Sequence, residues 1–348
     1  MTAQRKRLIL LFAKSFTITL CTIATIVAIP YYFLNNTIQP PEVPNIEVVY
    51  TYITNYNYEN DETYVYEPPH ITHFEERRPS FFTFLIIGIN EGYNANTIMV
   101  ASYDSISREA NIISIPRDTI VDFTRNNRKI VASYQVGRLN GGGHKGGIDR
   151  VKQEVATIVG FKADFYIRVD YDAFKRMVDA VGGVEIYVPF HKIYDDPYQS
   201  LHINIPAGLQ ILDGVNALHF ARYRNGNDPR LTITDYQRII NQQEVITSLV
   251  SRLITPSSLL RIPEFINIFN EHVYSNLSMG ELLWFANQAR GIGDLSYLNL
   301  YTIPMIGTSG APHWFELPYE AGIISIVNET INPLVRDITT SDTRIVIK

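Results

Sequence analysis

The stretch L-H-F-A-R-Y-R-N-G-N-D-P-R-L-T-I-T-D-Y-Q-R-I-I-N-Q-Q, residues 218–243, carries the pattern around which the rest of the chain is organised. Its first part predicts a short strand, on which alternate side chains share one face. That face would carry two apolar and then two cationic side chains: Leu218, Phe220, Arg222 and Arg224. After a loop, Asp235 begins a predicted helix on which Arg238 and Gln242 are neighbours, because they are four residues apart.

Three arginines and an amide are therefore predicted to meet at the end of an apolar face. This arrangement suits a ligand with an apolar tail and a phosphorylated head, since guanidinium groups stay charged and bind phosphate oxygens in pairs. The alternative, equally open at this point, is that these arginines form ordinary surface ion pairs.

The composition limits the classes of protein that need to be considered. The chain has 348 residues, of which 46% are hydrophobic, enough for one to three domains. Its formal net charge of -5 argues against a general nucleic-acid binder, and no nucleic-acid partner is expected. The single cysteine, Cys21, excludes a disulfide framework and a cysteine-based metal site.

The N-terminus predicts a membrane anchor. A basic tail, residues 1–14, precedes an uncharged run, residues 15–34, that is long enough for one membrane-spanning helix. The basic flank marks the cytoplasmic side, so the remainder of the chain is expected outside the cell membrane. The alternative is a cleaved signal peptide, but the apolar run is long for one and no clear cleavage pattern follows it.

A change in composition marks a linker at residues 35–80. This segment is rich in proline, acidic residues and tyrosine, which is typical of an extended spacer. Its alternating tyrosines leave room for one added edge strand at residues 48–53.

The remainder predicts an α/β fold, with residues 81–254 as the main domain and residues 255–348 as its C-terminal part. Strands alternate with helices, and an early hairpin is antiparallel, so we expect an αβα-type sandwich with a mixed central sheet. The predicted strands cover residues 81–89, 98–103, 111–115, 165–169, 184–188, 298–303 and 343–347, besides the arginine strand. The predicted helices cover residues 148–159, 171–181, 211–217, 235–253 and 279–290.

A glycine-rich segment, residues 141–147, stands before the helix at residues 148–159. Its spacing does not match a phosphate-binding P-loop. It predicts a mobile surface loop, and the alternative is a lid over the functional site.

Five motifs in register give a specific resemblance over residues 81–253. They are Ser114-Ile115-Pro116-Arg117-Asp118-Thr119, Val169-Asp170-Tyr171-Asp172-Ala173-Phe174 with Val178-Asp179-Ala180-Val181-Gly182-Gly183, Leu212-Asp213-Gly214, Ala221-Arg222-Tyr223-Arg224, and Asp235-Tyr236-Gln237-Arg238 with Gln242-Gln243. In this order and spacing the chain resembles the LytR-CpsA-Psr family of cell-envelope proteins.

The resemblance implies a membrane-anchored phosphotransferase. Such an enzyme moves a glycopolymer from a polyprenyl-pyrophosphate carrier onto peptidoglycan, so both molecules are expected partners. Carried over by motif, Arg117, Arg222 and Arg224 are the implied catalytic arginines. Arg238, Gln242 and Asp235 are implied to bind the pyrophosphate, and Leu218 and Phe220 are consistent with a lipid tunnel.

The implied metal site departs from the family pattern. Two aspartates that would hold a divalent cation align with Asn90 and Asn96, whose amides lack the charge of a tight Mg²⁺ ligand. Glu91 or Asp118 is a possible substitute. Either Mg²⁺ is held by substrate phosphates and weak protein ligands, or the protein is a non-catalytic lipid-linked-glycan binder or envelope regulator.

Overall fold

The computed structural model describes residues 39–43, 46–50, 70–122, 127–199, 201–255, 258, 261–289, 295–308 and 314–345. The predicted anchor at residues 15–34 lies outside these ranges. None of the helices within them combines the length and apolarity that crossing a membrane requires.

The described strands, numbered in chain order, are β1 (Ile46–Tyr50), β2 (His70–Glu75), β3 (Phe81–Ile89), β4 (Ala95–Asp104), β5 (Glu109–Ile115), β6 (Phe165–Val169), β7 (Val184–Val188), β8 (Lys192–Asp196), β9 (Leu201–Ile205), β10 (Gly208–Leu212), β11 (Val273–Ser275), β12 (Leu298–Thr302), β13 (Met305–Thr308) and β14 (Glu316–Pro318). The α-helices are α1 (Ser133–Gly137), α2 (Gly143–Val159), α3 (Tyr171–Ala180), α4 (Gly214–Arg222), α5 (Asp235–Leu253), α6 (Ile262–His272), α7 (Met279–Ala289) and α8 (Glu320–Thr330).

A six-stranded sheet in the order β11-β6-β3-β4-β5-β12 forms the centre of the fold. Strand β4 is antiparallel to β3 and β5, whereas β6 is parallel to β3 and β12 is parallel to β5. The predicted α/β fold with a mixed central sheet is therefore confirmed, and β11 and β12 show that residues after 254 contribute to it.

Helices cover both faces of the sheet, but the two faces are buried to different extents. On one face, Leu85, Ile87 and Ile113 are fully buried in a core shared with α2 and α8. The other face packs against Ile246 of α5. There, four apolar side chains are only partly buried: Phe84, Ile86, Leu298 and Leu300.

A second core lies among α4, α5 and two antiparallel hairpins, β7 with β10 and β8 with β9. Phe220 and Tyr223 are fully buried in it. Lys192 is also almost fully buried here, at 1% exposure, with its ammonium 4.3 to 5.1 Å from the ring centroids of Phe190, Tyr223 and Phe220.

The predicted arginine strand is wrong, because residues 214–222 form helix α4. Asp213 caps this helix by accepting a hydrogen bond of 2.8 Å from the backbone N–H of Asn216. The cap starts the helix directly after β10, so the predicted helix at residues 211–217 is displaced towards the C-terminus. Leu218 and Arg222 consequently share a helix face, whereas Phe220 points into the second core.

The glycine-rich segment is also not a free loop, since α2 begins at Gly143 rather than at residue 148. Its glycines allow α1 and α2 to approach closely. A β-carbon added at Gly137 would lie 2.2 Å from the carbonyl oxygen of Gly146, and one added at Gly147 would lie 2.9 Å from that of Tyr134. Close helix packing therefore accounts for Gly146 and Gly147, whereas Gly141 and Gly143 have positive φ angles of 93° and 54° at the start of α2.

Two further strand predictions need correction. The edge strand predicted within residues 48–53 is found at Ile46–Tyr50, but it pairs with β2 in a separate two-stranded sheet, and residues 51–53 lie outside the described ranges. Residues 343–345 form no strand, and residues 346–347 are not among those described.

Helix α7 falls outside the unit that holds the sheet and is described by itself. Ser278 caps it, since the Ser278 N–H donates to the Glu281 carboxylate at 2.7 Å and the Glu281 N–H donates to the Ser278 hydroxyl at 3.3 Å.

Candidate active site

One edge of the central sheet collects the polar residues that the motifs single out. Strands β3 and β5 run in the same direction, so Asn90, directly after β3, and Arg117, two residues after β5, lie at one edge. Asn96, near the start of β4, lies at the same edge because β4 runs in the opposite direction. A hydrogen bond joins Arg117 and Asn96, which are 21 residues apart in the sequence.

The segment that carries Arg117 is held in a fixed turn. The Thr119 N–H and hydroxyl both donate to the Pro116 carbonyl, at 3.0 and 2.6 Å, and the Val131 N–H donates to the Arg117 carbonyl at 3.0 Å. The guanidinium of Arg117 then donates to the amide oxygen of Asn96 at 3.1 Å. Hydrogen bonds to its backbone carbonyl and from its guanidinium therefore fix the position of Arg117.

The start of helix α5 places Asp235 and Arg238 against Arg117. A capping box between Thr234 and Gln237 fixes this helix end, as predicted for residue 235. One oxygen of Asp235 lies 2.7 Å from the Arg238 guanidinium, and the same oxygen lies 3.7 Å from Nε of Arg117. The two arginines therefore share a single carboxylate oxygen.

This group has buried hydrogen-bonding atoms left over. Within the described part of the chain, Nε of Arg117 and Nε of Arg238 are buried and have no hydrogen-bond partner. Burial, followed by the charge of Arg117, lowers the pKa of Arg238 to about 10, with Asp235 acting in the opposite direction and the charge of Arg224 adding to the lowering. Both carboxylate oxygens of Asp235 are likewise buried without a hydrogen bond in the described ranges, although one of them forms the ion pair with Arg238. Buried donors and acceptors without partners are costly, and an anionic ligand would satisfy the two Nε donors. We call Arg117, Arg224, Arg238 and Asp235 the arginine cluster.

Arg224 is the exposed member of this cluster, and the remaining predicted site residues make contacts elsewhere. Arg222 lies over the ring of Tyr171, 4.7 Å from its centroid, at the start of α3. Gln242 is 9% exposed and makes a marginal contact of 3.5 Å with the Ala221 carbonyl. Its neighbour Gln243 instead reaches the sheet edge, donating to the Ser114 hydroxyl at 3.1 Å.

Leu218 and Phe220, the predicted tunnel residues, are 9% and 0% exposed. Phe220 belongs to the second core, so its burial has a purely structural explanation. The partly buried side chains on the sheet face beneath α5 are the better candidates for contact with an apolar tail.

A cavity of about 680 Å³ lies beside the same helix, between α5, β7 and β12. Most of its lining is polar: Glu185, Gln243, Glu244, Thr247, Ser248, Ser251, Arg252 and Thr255, with Ile186, Tyr187, Ile240 and Leu300 as the larger apolar and aromatic contributors. Several of these polar side chains already have partners within the protein: Gln243 donates to the Tyr301 carbonyl at 2.9 Å, and Thr247 donates to the Gln243 carbonyl at 2.8 Å.

The residues of the implied metal site do not fit a hard cation well. The amide oxygen of Asn90 accepts from the Asn94 N–H at 2.8 Å, and that of Asn96 accepts from Arg117. Asp118, a possible substitute, is paired with Lys129 at 3.0 Å. In the described ranges, no group of three His, Cys, Asp or Glu side chains lies close enough to hold a metal ion. No step of the proposed chemistry is therefore assigned to a metal.

No motif in the sequence points to Glu316, which the fold brings beside the cluster. Its strand, β14, has only three residues, and its N–H donates to the Asp118 carbonyl at 3.0 Å. Burial and the nearby carboxylates of Asp235 and Asp118 raise the pKa of Glu316. A carboxyl group with this environment suits proton transfer.

The fold and the cluster define an α/β protein with a group of closely placed arginines at the edge of a mixed sheet. The chain belongs to the LytR_cpsA_psr family, whose model matches residues 49–310. Glu316 lies beyond the matched range.

Individual relatives agree with this assignment. The polyisoprenyl-teichoic acid–peptidoglycan teichoic acid transferase TagV of Bacillus subtilis is 30% identical over 214 residues, covering 58% of this chain and 51% of the relative. The cell wall biosynthesis protein LcpA of Corynebacterium glutamicum is 28% identical over 256 residues, covering 66% of this chain and 46% of the relative. The chain thus spans about half the length of these relatives.

The fold has a solved counterpart. The crystal structure of Bacillus subtilis TagV superposes with a TM-score of 0.59 at 24% sequence identity, covering 72% of this chain and 96% of that one.

Proposed function

We propose that this protein transfers a glycopolymer from a polyprenyl-pyrophosphate carrier to a sugar of peptidoglycan. The observation that carries the proposal is the pairing of Arg117 and Arg238 on one oxygen of Asp235, with buried Nε donors left over. Two findings support a lipid-linked glycopolymer and peptidoglycan as the substrates. The chain belongs to the family, and its relative TagV is named a polyisoprenyl-teichoic acid–peptidoglycan teichoic acid transferase.

In the proposed reaction, a hydroxyl oxygen of the acceptor sugar attacks the phosphorus that carries the glycan. A P–O bond to the acceptor forms, the P–O bond to the second phosphate breaks, and polyprenyl monophosphate leaves. Phosphoryl transfer depends mainly on positioning and on neutralising charge in the transition state. Arg117 and Arg238 would do both, because their guanidinium groups are already fixed before the ligand binds.

The acceptor hydroxyl must lose its proton during this step. Glu316 is placed to receive it, because its backbone is bound to the turn that carries Arg117. The raised pKa of Glu316, caused first by burial, brings this carboxyl closer to the range in which a base is effective near neutral pH.

The polyprenyl tail would lie on the sheet face beneath α5. Phe84 and Ile86 are apolar but only partly buried there, in contrast to the fully buried residues of the opposite face. Transfer of such surface from water to a lipid tail is favourable by about 25 cal/mol per Å². This assignment replaces Leu218 and Phe220 as the residues that contact the tail.

We also propose that residues 15–34 anchor the protein in the cell membrane, with the folded part outside. The uncharged run and its basic flank support this topology. It would hold the arginine cluster within reach of a carrier whose own tail lies in the same membrane.

The non-catalytic alternative rests on one specific observation. Asn90 and Asn96 supply no charge, and both amide oxygens already accept hydrogen bonds. A binder or envelope regulator would retain the arginine cluster without turning over the carrier.

Turnover of a short-chain polyprenyl-pyrophosphate glycan in the presence of a peptidoglycan oligosaccharide separates the two functions. The natural protein should form the phosphodiester product, Arg117→Ala should lose it, and Arg230→Ala should retain it, because Arg230 is 88% exposed and pairs only with Asp228 in the described structure. An Asn90→Asp, Asn96→Asp double variant is assayed alongside, with and without Mg²⁺.

Turnover in the double variant alone would favour the binder. Turnover in both proteins that a chelator abolishes would favour a transferase whose metal is held mainly by the substrate phosphates. Absence of product in every protein would overturn the transferase proposal.

A further inference from the structure

A second group of polar and aromatic side chains lies at the same sheet edge, on the opposite face from α5. It consists of Tyr93, Tyr134, His144, Arg168 and Tyr274, and we call it the Arg168 cluster. Arg168 and Tyr274 are paired across β6 and β11, so their side chains share a face. Tyr134 comes from α1, and His144 comes from the start of α2.

Arg168 is the centre of this cluster. It is 4% exposed, and its guanidinium lies 4.7 Å from the ring centroid of Tyr274 and 6.0 Å from that of Tyr134. Its closest carboxylate contact is Asp170, at 3.4 Å, and its buried Nε has no hydrogen-bond partner among the described residues. A charged group this deeply buried and incompletely bonded is unusual without a functional reason.

His144 forms the wall of the cluster towards solvent. One ring nitrogen, Nδ1, is hydrogen-bonded to the Tyr134 hydroxyl at 2.7 Å, and its ring lies 4.8 Å from that of Tyr274 and 5.9 Å from that of Tyr93. Burial, followed by the charges of Arg168 and Arg138, lowers the pKa of His144. The ring is therefore neutral at pH 7, and Nε2 is available for a further hydrogen bond.

The charge balance distinguishes this cluster from the arginine cluster. There, two guanidinium groups lie beside the carboxylate of Asp235 and the charge of a third, Arg224, acts on Arg238, so the balance favours an anion. Here, one guanidinium is paired with one carboxylate, and the remaining members are neutral rings. Arg138 contributes a further cation at the rim, where it stacks on Tyr93 at 3.8 Å. A largely neutral ligand with many hydroxyl and amide groups fits this composition better than a phosphate.

Tyr274 is 45% exposed, so part of its ring faces solvent beside the contacts with Arg168 and His144. An aromatic ring can stack on the apolar C–H face of a sugar ring, while fixed polar groups beside it bond to the hydroxyl groups of the sugar.

The position of the cluster relates it to the arginine cluster. Strands β6 and β5 are three strand spacings apart in the sheet, about 14 Å. Directly after β6, Asp170 contacts Arg168, and the guanidinium of Arg222 lies over the ring of the next residue, Tyr171. A glycan of a few sugar units would reach from one cluster to the other along the sheet edge.

We propose that the Arg168 cluster is the subsite that binds the acceptor glycan strand, with Tyr274 stacking on a sugar ring and His144 and Arg168 bonding to its polar groups. The assignment of this glycan as the acceptor rests on the proposed transferase function, whereas the binding of a glycan at this place does not.

The test uses the full-length protein and a peptidoglycan oligosaccharide, with binding measured by titration calorimetry in the absence of the carrier. Tyr274→Leu and His144→Ala should each weaken binding by roughly tenfold, which corresponds to 1.4 kcal/mol. Tyr274→Phe keeps the ring and should bind within about twofold of the natural protein, because stacking is the main contribution of this residue. Tyr198→Leu is the matched control, since this tyrosine is fully exposed on a loop.

In the transfer assay, the same two variants should raise KM for the acceptor by a similar factor and leave KM for the carrier unchanged. Oligosaccharide binding that depends on Tyr274, without any turnover, would support the subsite and count against the transferase. Binding that is equal in the natural protein, Tyr274→Leu and His144→Ala, or binding absent from the natural protein, would overturn the subsite. Melting curves establish that each variant is folded. If Tyr274→Leu or His144→Ala unfolds, the other of the two, compared with Tyr198→Leu, still decides the outcome.

Discussion

Arg238 and Asp235 form an ion pair of 2.7 Å within the first turn of α5, and the same carboxylate oxygen faces Arg117. The arginines come from different parts of the chain, one after β5 and one on α5. Asp235 therefore holds two cations together that would otherwise repel each other. A pyrophosphate would take over part of this role when it binds.

The first prediction concerns Asp235→Asn. Removing the charge leaves Arg117 and Arg238 buried without a shared anion, so we expect a loss of about 3 kcal/mol in the free energy of unfolding. Added inorganic pyrophosphate should raise the melting temperature of this variant more than that of the natural protein. Equal increments in the two proteins would show that the ligand does not bind between these arginines.

The second prediction ranks the arginines for affinity to the carrier. Arg117→Ala and Arg238→Ala should weaken binding by roughly tenfold to a hundredfold, because each removes charged hydrogen bonds at the cluster. Arg222→Ala should have a smaller effect, since Arg222 lies over Tyr171. Fluorescence titration with a short-chain polyprenyl pyrophosphate gives the order, and Arg230→Ala is the exposed control. A larger loss for Arg222→Ala would mean that the carrier binds nearer to Tyr171.

The third prediction uses the raised pKa of Glu316, which burial and two nearby carboxylates cause. As pH rises above the ordinary value of 4.5, an unfolded chain loses this proton before the folded chain does. The folded state is therefore destabilised as pH rises through this window.

Glu316→Gln should be more stable than the natural protein at pH 7, and the difference should vanish below pH 4.5. Transfer activity should fall in the same variant, since glutamine does not accept the acceptor proton. A variant that is less stable at pH 7 would contradict the burial argument.

The fourth prediction concerns Lys192, which is enclosed by three aromatic rings. Burial lowers the pKa of Lys192 to about 8 from 10.5, with Glu244 opposing the shift. An unfolded chain then binds this proton more tightly, so the free energy of unfolding should rise between pH 8 and pH 10.5, by about 3 kcal/mol.

Lys192→Met removes the titrating group while keeping a similar volume, and its denaturant unfolding should lack this rise. The informative quantity is the difference between variant and natural protein at each pH, because other groups titrate in both. A difference that stays constant from pH 7 to pH 10.5 would show that Lys192 is not buried as a cation.

Local sequence signals predicted both ends of α5 and the C-terminal end of α2 but not the structure of the run at residues 218–222. Helix α5 begins at Asp235 and ends at Leu253 as expected, because its capping residues and apolar spacing agree. The helix predicted over residues 148–159 ends at the expected residue, because Gly160 follows it with φ of 83°. The run at residues 218–222 fits both a strand and a helix face, and the cap at Asp213 decides between them.

Other features depend on contacts between distant segments. Glu316 reaches the cluster through a strand of three residues, which is too short to give a periodic pattern. Arg168 looks like an ordinary strand residue until β11 pairs with β6 and places Tyr274 beside it. The motifs therefore pointed to Arg117 and Arg238, which the fold brings together on Asp235. Neighbours such as Glu316 and Tyr274 come from distant segments and were not predictable from local sequence.

A crystal structure of the protein with a short-chain polyprenyl pyrophosphate tests the central claim most directly. The account predicts that the pyrophosphate lies within hydrogen-bond distance of Arg117 and Arg238, with Nε of each donating to it, and that the tail follows Phe84 and Ile86 beneath α5. A pyrophosphate bound elsewhere, with the pairing of Asp235 and both arginines unchanged, would contradict it.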